Sequence, residues 1–127
     1  MSHAGNTDPG KLLEHPVAEQ VAETMHGLAT PSRLRILARL HAGPCAVGDL
    51  ATGLDMEASA VSHQLRVLRL LGLVAGRRSG KRVVYELHDE HVAQLLGEAM
   101  NHVEHLRLGL PGRAAASLPA APRRRAA

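Results

Sequence analysis

Val17, Val21, Met25 and Leu28 recur at spacings of four, four and three, the mark of a helix that buries one face. Pro16 suits the first turn of that helix. Thr30 is a good N-cap with Pro31 behind it at the first helical position. The helix it opens carries Leu34, Leu37 and Leu40 inward and stops at Gly43-Pro44. A short helix follows from Val47 to about Thr52, ended by Gly53. Asp55 then reads as the N-cap of a helix from about Met56 to Leu71, with Val61, Leu65 and Leu68 as its buried face and Gly72 closing it. Beyond Leu73 the period shortens. Val74 to Arg77 and Arg82 to Leu87 read as two strands, and Arg78-Ser79-Gly80-Lys81 supplies the turn between them. From Asp89 to about Leu108 the helical period returns, until Gly109 and Pro111 end it. The predicted fold is mainly α with a small β-hairpin: four helices, the hairpin and a last helix.

The flanks lack such periods. Residues 1–10 are small and polar and read as a disordered arm; residues 111–127 are rich in Ala, Pro and Arg and read as a disordered tail; residues 11–110 form the expected domain. With one Tyr and no Phe or Trp among 127 residues, the core must be aliphatic, which suits helices better than aromatic-rich strands. A single cysteine, Cys45, excludes an intrachain disulfide and fits a reducing compartment. No apolar run approaches the roughly 20 residues of a membrane helix, and the start lacks the apolar stretch of a secretion signal, so a cytoplasmic location is expected. The net charge of +3 permits nucleic-acid binding without requiring it.

Two helices joined by a tight Gly-containing turn, followed by a basic hairpin, describe a winged helix–turn–helix. On the second of those helices Ser59, Ser62, His63, Gln64 and Arg66 fall at the outer face or its flanks, where hydroxyl, amide and imidazole groups can meet phosphates and base edges in a major groove of double-stranded DNA. Arg77, Arg78, Lys81 and Arg82 crowd the hairpin, placing a cationic fork where it can follow the DNA backbone or enter a minor groove.

The runs Leu28-Ala29-Thr30-Pro31-Ser32-Arg33-Leu34, Ser59-Ala60-Val61-Ser62-His63-Gln64-Leu65-Arg66-Val67-Leu68 and Gly72-Leu73-Val74 resemble those of the ArsR/SmtB family of metal-sensing repressors. The stretch from His91 to Leu96, with His102, Glu104-His105-Leu106 and Leu108-Gly109-Leu110, is most similar to the nickel- and cobalt-sensing branch of that family. The resemblance implies a homodimer that represses genes of metal efflux or resistance from an inverted-repeat operator and lets go when metal binds.

Asp89, His91, His102 and His105 match the family's last-helix metal site at all four positions. His102 and His105 are three apart and project from one face. Asp89 and His91 flank the helix start. Along one helix His91 and His102 are about 16 Å apart, so a single helix cannot gather all four on one ion. Two antiparallel copies can, with Asp89 and His91 of one protomer meeting His102 and His105 of the other. Val92, Leu96, Ala99, Val103 and Leu106 alternate spacings of four and three, the pattern of a helix–helix seam, and Gly97 near the centre permits close approach. In the resembling branch further ligands come from the N-terminus: here the Ser2 amine, once Met1 is removed, and His3. Arg107 and Ala114 stand where that branch carries histidines. The family's alternative thiolate site falls on Ala46 and Gly48, which excludes it.

Nickel or cobalt is therefore the expected ion, with zinc as the alternative, since one carboxylate and three imidazoles complete a tetrahedron. A regulator with a non-metal signal, such as redox sensing at Cys45, is a further alternative. An enzyme is not expected: there is no separate acid or base motif and no His-Glu-x-x-His. His15, His26, His41 and His88 read as surface or helix-end residues.

Overall fold

The computed structural model describes residues 8–113. The described residues fall into two compact units, one running to Ala93 and the other beginning at Gln94. The first described element is a 3-10 turn, Pro9–Leu13, whose Gly10 N–H donates to the Asp8 carboxylate at 3.1 Å. It takes in Pro9 and Gly10, which the sequence assigns to the arm. Helix α1 (His15–Gly27) has Pro16 in its first turn, as expected. Helix α2 (Pro31–His41) is capped by Thr30, whose hydroxyl accepts from the Arg33 N–H at 3.2 Å. Strand β1 (Cys45–Ala46), α3 (Val47–Leu54) and α4 (Ala58–Leu70) follow; then come β2 (Val74–Ser79), β3 (Arg82–Leu87) and α5 (Glu90–Arg107).

The core of the first unit is aliphatic. Ile36, Leu37, Leu50, Val61, Leu65, Leu68 and Val74 are fully buried, and no polar or charged residue among those described joins them. Burying each such side chain contributes about 1.5–3 kcal/mol. Leu34, expected inward, is 41% exposed, and Ile36 takes its place. Val17, Val21 and Leu28 of the α1 face are only half-buried, and Met25 is exposed. The end of α1 is nevertheless close to the chain after α4. A Cβ on Gly27 would come within 2.7 Å of the Leu71 side chain and 2.8 Å of the Leu73 side chain, so only glycine fits without displacing them.

Asp55 is not the cap of α4. It closes α3 in the left-handed conformation, φ 55°, which Asp tolerates better than most residues; Glu57 precedes α4 without a side-chain cap bond. Arg35 reaches the same corner and donates to the Leu54 carbonyl at 2.9 Å, satisfying an end carbonyl of α3 with a cation.

The hairpin is longer and tighter than expected. Pairing runs from Val74↔Leu87 to Ser79↔Arg82, leaving a two-residue turn of Gly80 and Lys81 with Gly80 at φ 66°. A third strand escaped the sequence reading: β1 pairs antiparallel to β3 through Cys45↔Tyr85 and Ala46↔Val84, giving the order β1-β3-β2. Tyr85 lies over Gly76, with ring carbons 3.0 Å from where a Cβ would stand. No helix among the described residues is long and apolar enough to cross a membrane.

Candidate nucleic-acid interface and metal ligands

Helix α4 turns Val61, Leu65 and Leu68 into the core and so fixes which residues look outward. Ser59, His63 and Arg66 are exposed, while Ser62 and Gln64 are half-buried on opposite flanks. Ser62 borders a small hollow shared with Ala46, Val47, Gly48, Arg82 and Val83. Gln64 faces α2: its side-chain carbonyl accepts from Arg33 Nε at 2.8 Å, and its amide nitrogen lies 3.4 Å from the Ser32 hydroxyl.

The four wing cations separate into two pairs. Arg82 bonds the Asp49 carboxylate of α3, and Arg77 Nε lies 3.8 Å from Glu86 of β3. Arg78 and Lys81, at the tip, are exposed and enter no ion pair among the described residues. Pairing of Arg82 and Arg77 was invisible in the sequence because their partners sit on other elements. A winged surface with free cations at its tip and hydrogen-bonding side chains on its helix can straddle a duplex, the tip on phosphates and the helix in the major groove.

At the start of α5 the Asp89 carboxylate is the centre of a polar cluster. One oxygen accepts from the Val92 N–H at 3.3 Å and lies 3.5 Å from His91 Nδ1; the other lies 3.0 Å from His88 Nδ1. The His88 hydrogen bond holds the Asp89 carboxyl below the usual carboxylate range; burial opposes it, and the Val92 N–H and the charge of the neighbouring imidazoles lower it further. His88, read from the sequence as mere surface, thus belongs to this cluster. The signal available was its adjacency to Asp89.

Farther along α5, His102 is exposed, and His105 is half-buried with Nε2 3.1 Å from the Pro111 carbonyl. No three His, Cys, Asp or Glu side chains among the described residues converge in one chain to hold an ion. Ser2 and His3 lie outside the described residues. Of the seam positions, Val92 is buried, Leu96 half-buried and Ala99 exposed, while Val103 and Leu106 are 63% and 62% exposed. Cys45, the alternative sensor, is a buried free thiol in β1.

Residues 30–75, from the cap of α2 to the first strand of the wing, match the model of the bacterial regulatory proteins of the arsR family. Over 109 residues the chain is 59% identical to the HTH-type transcriptional regulator NmtR of Mycobacterium tuberculosis, covering 86% of this chain and 91% of that one. The chain belongs to the ArsR family. The solution structure of apo-NmtR superposes with a TM-score of 0.66 at 57% identity, over 88% of this chain and 94% of that one. A homodimeric winged helix–turn–helix DNA-binding domain from Mycobacterium bovis superposes with a TM-score of 0.71 at 31% identity, over 87% of this chain and 99% of that one. This ArsR-family member is accordingly a winged helix–turn–helix transcriptional regulator, with α3 and α4 as its helix–turn–helix and β2–β3 as its wing.

Proposed function

We propose that the protein is a homodimeric repressor that binds an inverted-repeat operator and responds to nickel or cobalt at a site shared between the last helices of its two protomers. The observation that carries this reading is the set of donors along α5 and just before it: Asp89 and His91 flanking its start, His102 and His105 three residues apart near its end. The extended identity with NmtR, running through this helix, supports it. The homodimeric state of the related domain supports the dimer.

The donors fit such an ion. They are one carboxylate and three imidazoles, His91 and His102 are exposed, and nitrogen and oxygen ligands suit nickel and cobalt. Asp89 and His91 of one protomer would hold the ion with His102 and His105 of the partner, and Ser2 and His3 would add the further ligands that these ions favour over zinc. When bound, the ion supplies a link between protomers. The seam residues Val92, Leu96, Ala99, Val103 and Leu106 set the angle of the two last helices, and with it the span of the two α4 helices over their half-sites. Metal response requires unequal affinity for the DNA-competent and DNA-incompetent dimers; a coupling of about 1–3 kcal/mol changes operator affinity about 5- to 150-fold.

Zinc sensing on the same scaffold is the second reading, favoured by these four donors being enough for a tetrahedron. Coordination numbers from X-ray absorption, for nickel, cobalt and zinc in the full chain and in one lacking residues 2–5, separate the two. Nickel loses ligands on the deletion if Ser2 and His3 take part, and an unchanged spectrum removes them. Mixing Asp89→Ala/His91→Ala protomers with His102→Ala/His105→Ala protomers tests the shared site: the mixed dimer keeps one complete site and each parent keeps none. A mixed dimer without tight metal binding overturns the arrangement.

A further inference from the structure

Gln64 belongs to the reading helix, yet its amide points away from the reading face. At 100° per residue, Gln64 lies about 65° from the middle of the Val61/Leu65/Leu68 face and about 130° from the middle of the Ser59/His63/Arg66 face. Both ends of its amide are engaged by the first turn of α2: the carbonyl by Arg33 Nε at 2.8 Å, the nitrogen by the Ser32 hydroxyl at 3.4 Å. Arg33 is itself held. Its backbone N–H donates to the Thr30 hydroxyl at 3.2 Å, and its Nη1 donates to the His26 carbonyl in the last turn of α1 at 3.3 Å. One guanidinium therefore ties the end of α1, the start of α2 and the flank of α4, and its planar fork makes the directions of these bonds specific.

We propose that Gln64 reads no base and that Arg33 and Gln64 form a strut steadying the rotation of α4 about its own axis, and thereby how firmly Ser59, Ser62, His63 and Arg66 are held toward the bases. This rests on α4 being the DNA-reading helix. Arg33 and Gln64 are positioning residues: they act through the orientation of the outward side chains. The strut also gives α1 a direct polar connection to the reading helix, independent of the apolar core.

The test uses the full chain, with base preferences obtained by selecting bound duplexes from a randomised library. Gln64→Met and Arg33→Met should each weaken binding to the selected duplex about 5- to 30-fold, the size of one or two lost hydrogen bonds, while enriching the same sequence as the wild type. The double variant should be no weaker than either single one, because the two side chains act as a unit. Gln64→Glu keeps an acceptor for Arg33 Nε and should restore most of the affinity with the sequence unchanged. If Gln64→Met loses preference at one base pair while Arg33→Met keeps it, and the double effects add, Gln64 reads a base and the strut is overturned. The Arg33 Nε–H resonance judges the interaction without DNA: it should be protected from exchange in the wild type and lose protection in Gln64→Met, and insensitivity to that substitution sinks the strut. A wild-type chain that enriches no sequence refutes the DNA reading and leaves the resonance to decide the strut.

Discussion

Leu65 and Val103 are both aliphatic residues on helical faces, spaced three or four from others of their kind, yet Leu65 is fully buried and Val103 is 63% exposed. The contrast extends to their neighbourhoods. In the first unit Ile36, Leu37, Leu50, Val61 and Leu68 close around a core that one chain completes by itself. In the second, Met100, Val103, Leu106, Leu108 and Leu110 are all more than half exposed. An apolar stripe left exposed among the described residues is what the proposed seam between two protomers requires. The wing repeats the lesson with charge: Arg77 and Arg82 have carboxylate neighbours within the chain, whereas Arg78 and Lys81 have none among the described residues. Groups satisfied internally build the fold, and groups left over are the ones the proposed partners would engage.

The most forceful way to break this contrast is to remove a buried side chain. Leu65→Ala should lower the stability of the protein by about 2–5 kcal/mol, read by urea unfolding, because the cavity cannot collapse against a packed core. Val103→Ala, at concentrations where the chain is monomeric, should stay within about 0.5 kcal/mol. An equal cost at the two positions would show that the stripe on α5 is already covered. Next in size, Val103→Asp with Leu106→Asp should raise the dimer dissociation constant by ~100-fold or more in sedimentation, since each carboxylate would be desolvated in the seam, with helical circular dichroism retained.

For the wing, Arg78→Ala with Lys81→Ala should flatten the salt dependence of DNA binding by about one unit of log–log slope for each phosphate that is no longer neutralised. Arg77→Ala with Arg82→Ala should flatten it less, because Glu86 and Asp49 already compete for those guanidinium groups. Equal slopes would mean that the internal pairs open on DNA. The smallest effect concerns Asp89. Its carboxyl is held low chiefly by His88, so His88→Ala should return it toward the ordinary value in an NMR titration. The sign follows from a depressed carboxyl: the contribution to stability is present above its unfolded pKa and is lost as pH falls through the lowered folded value. An unshifted titration would remove His88 from the cluster.

Much of the architecture was legible from spacing, and the failures share a cause. Residues 34, 37 and 40 look like one face, but steps of three sweep about 60° each, so the face centres nearer Ile36, Leu37 and Leu40. Asp55 before an apolar run reads as an N-cap, yet Asp is also among the few residues that enter the left-handed region, and spacing cannot choose between these uses. Strand β1, at two residues, is too short to carry a period. On the candidate site, the outward faces of α4 and the wing were readable because each belongs to one element. The engagement of Gln64 by Arg33, and of Arg82 by Asp49, joins residues more than thirty positions apart and needs the tertiary arrangement.

The three-stranded sheet also has a consequence in time. Strands β2 and β3 are joined by two residues and can zip on the scale of about 1–10 μs typical of hairpins. Strand β1 reaches β3 from beyond both α3 and α4, so Cys45 and Tyr85 meet only after the chain between them has been gathered, with the loop-closure cost that such distant pairing carries. The wing is thus expected to form early as a local ribbon and to be fastened late, through the short Cys45–Ala46 edge. In reverse, loosening of that edge would release the ribbon from the rest of the sheet and leave the β2–β3 pairing to hold by itself.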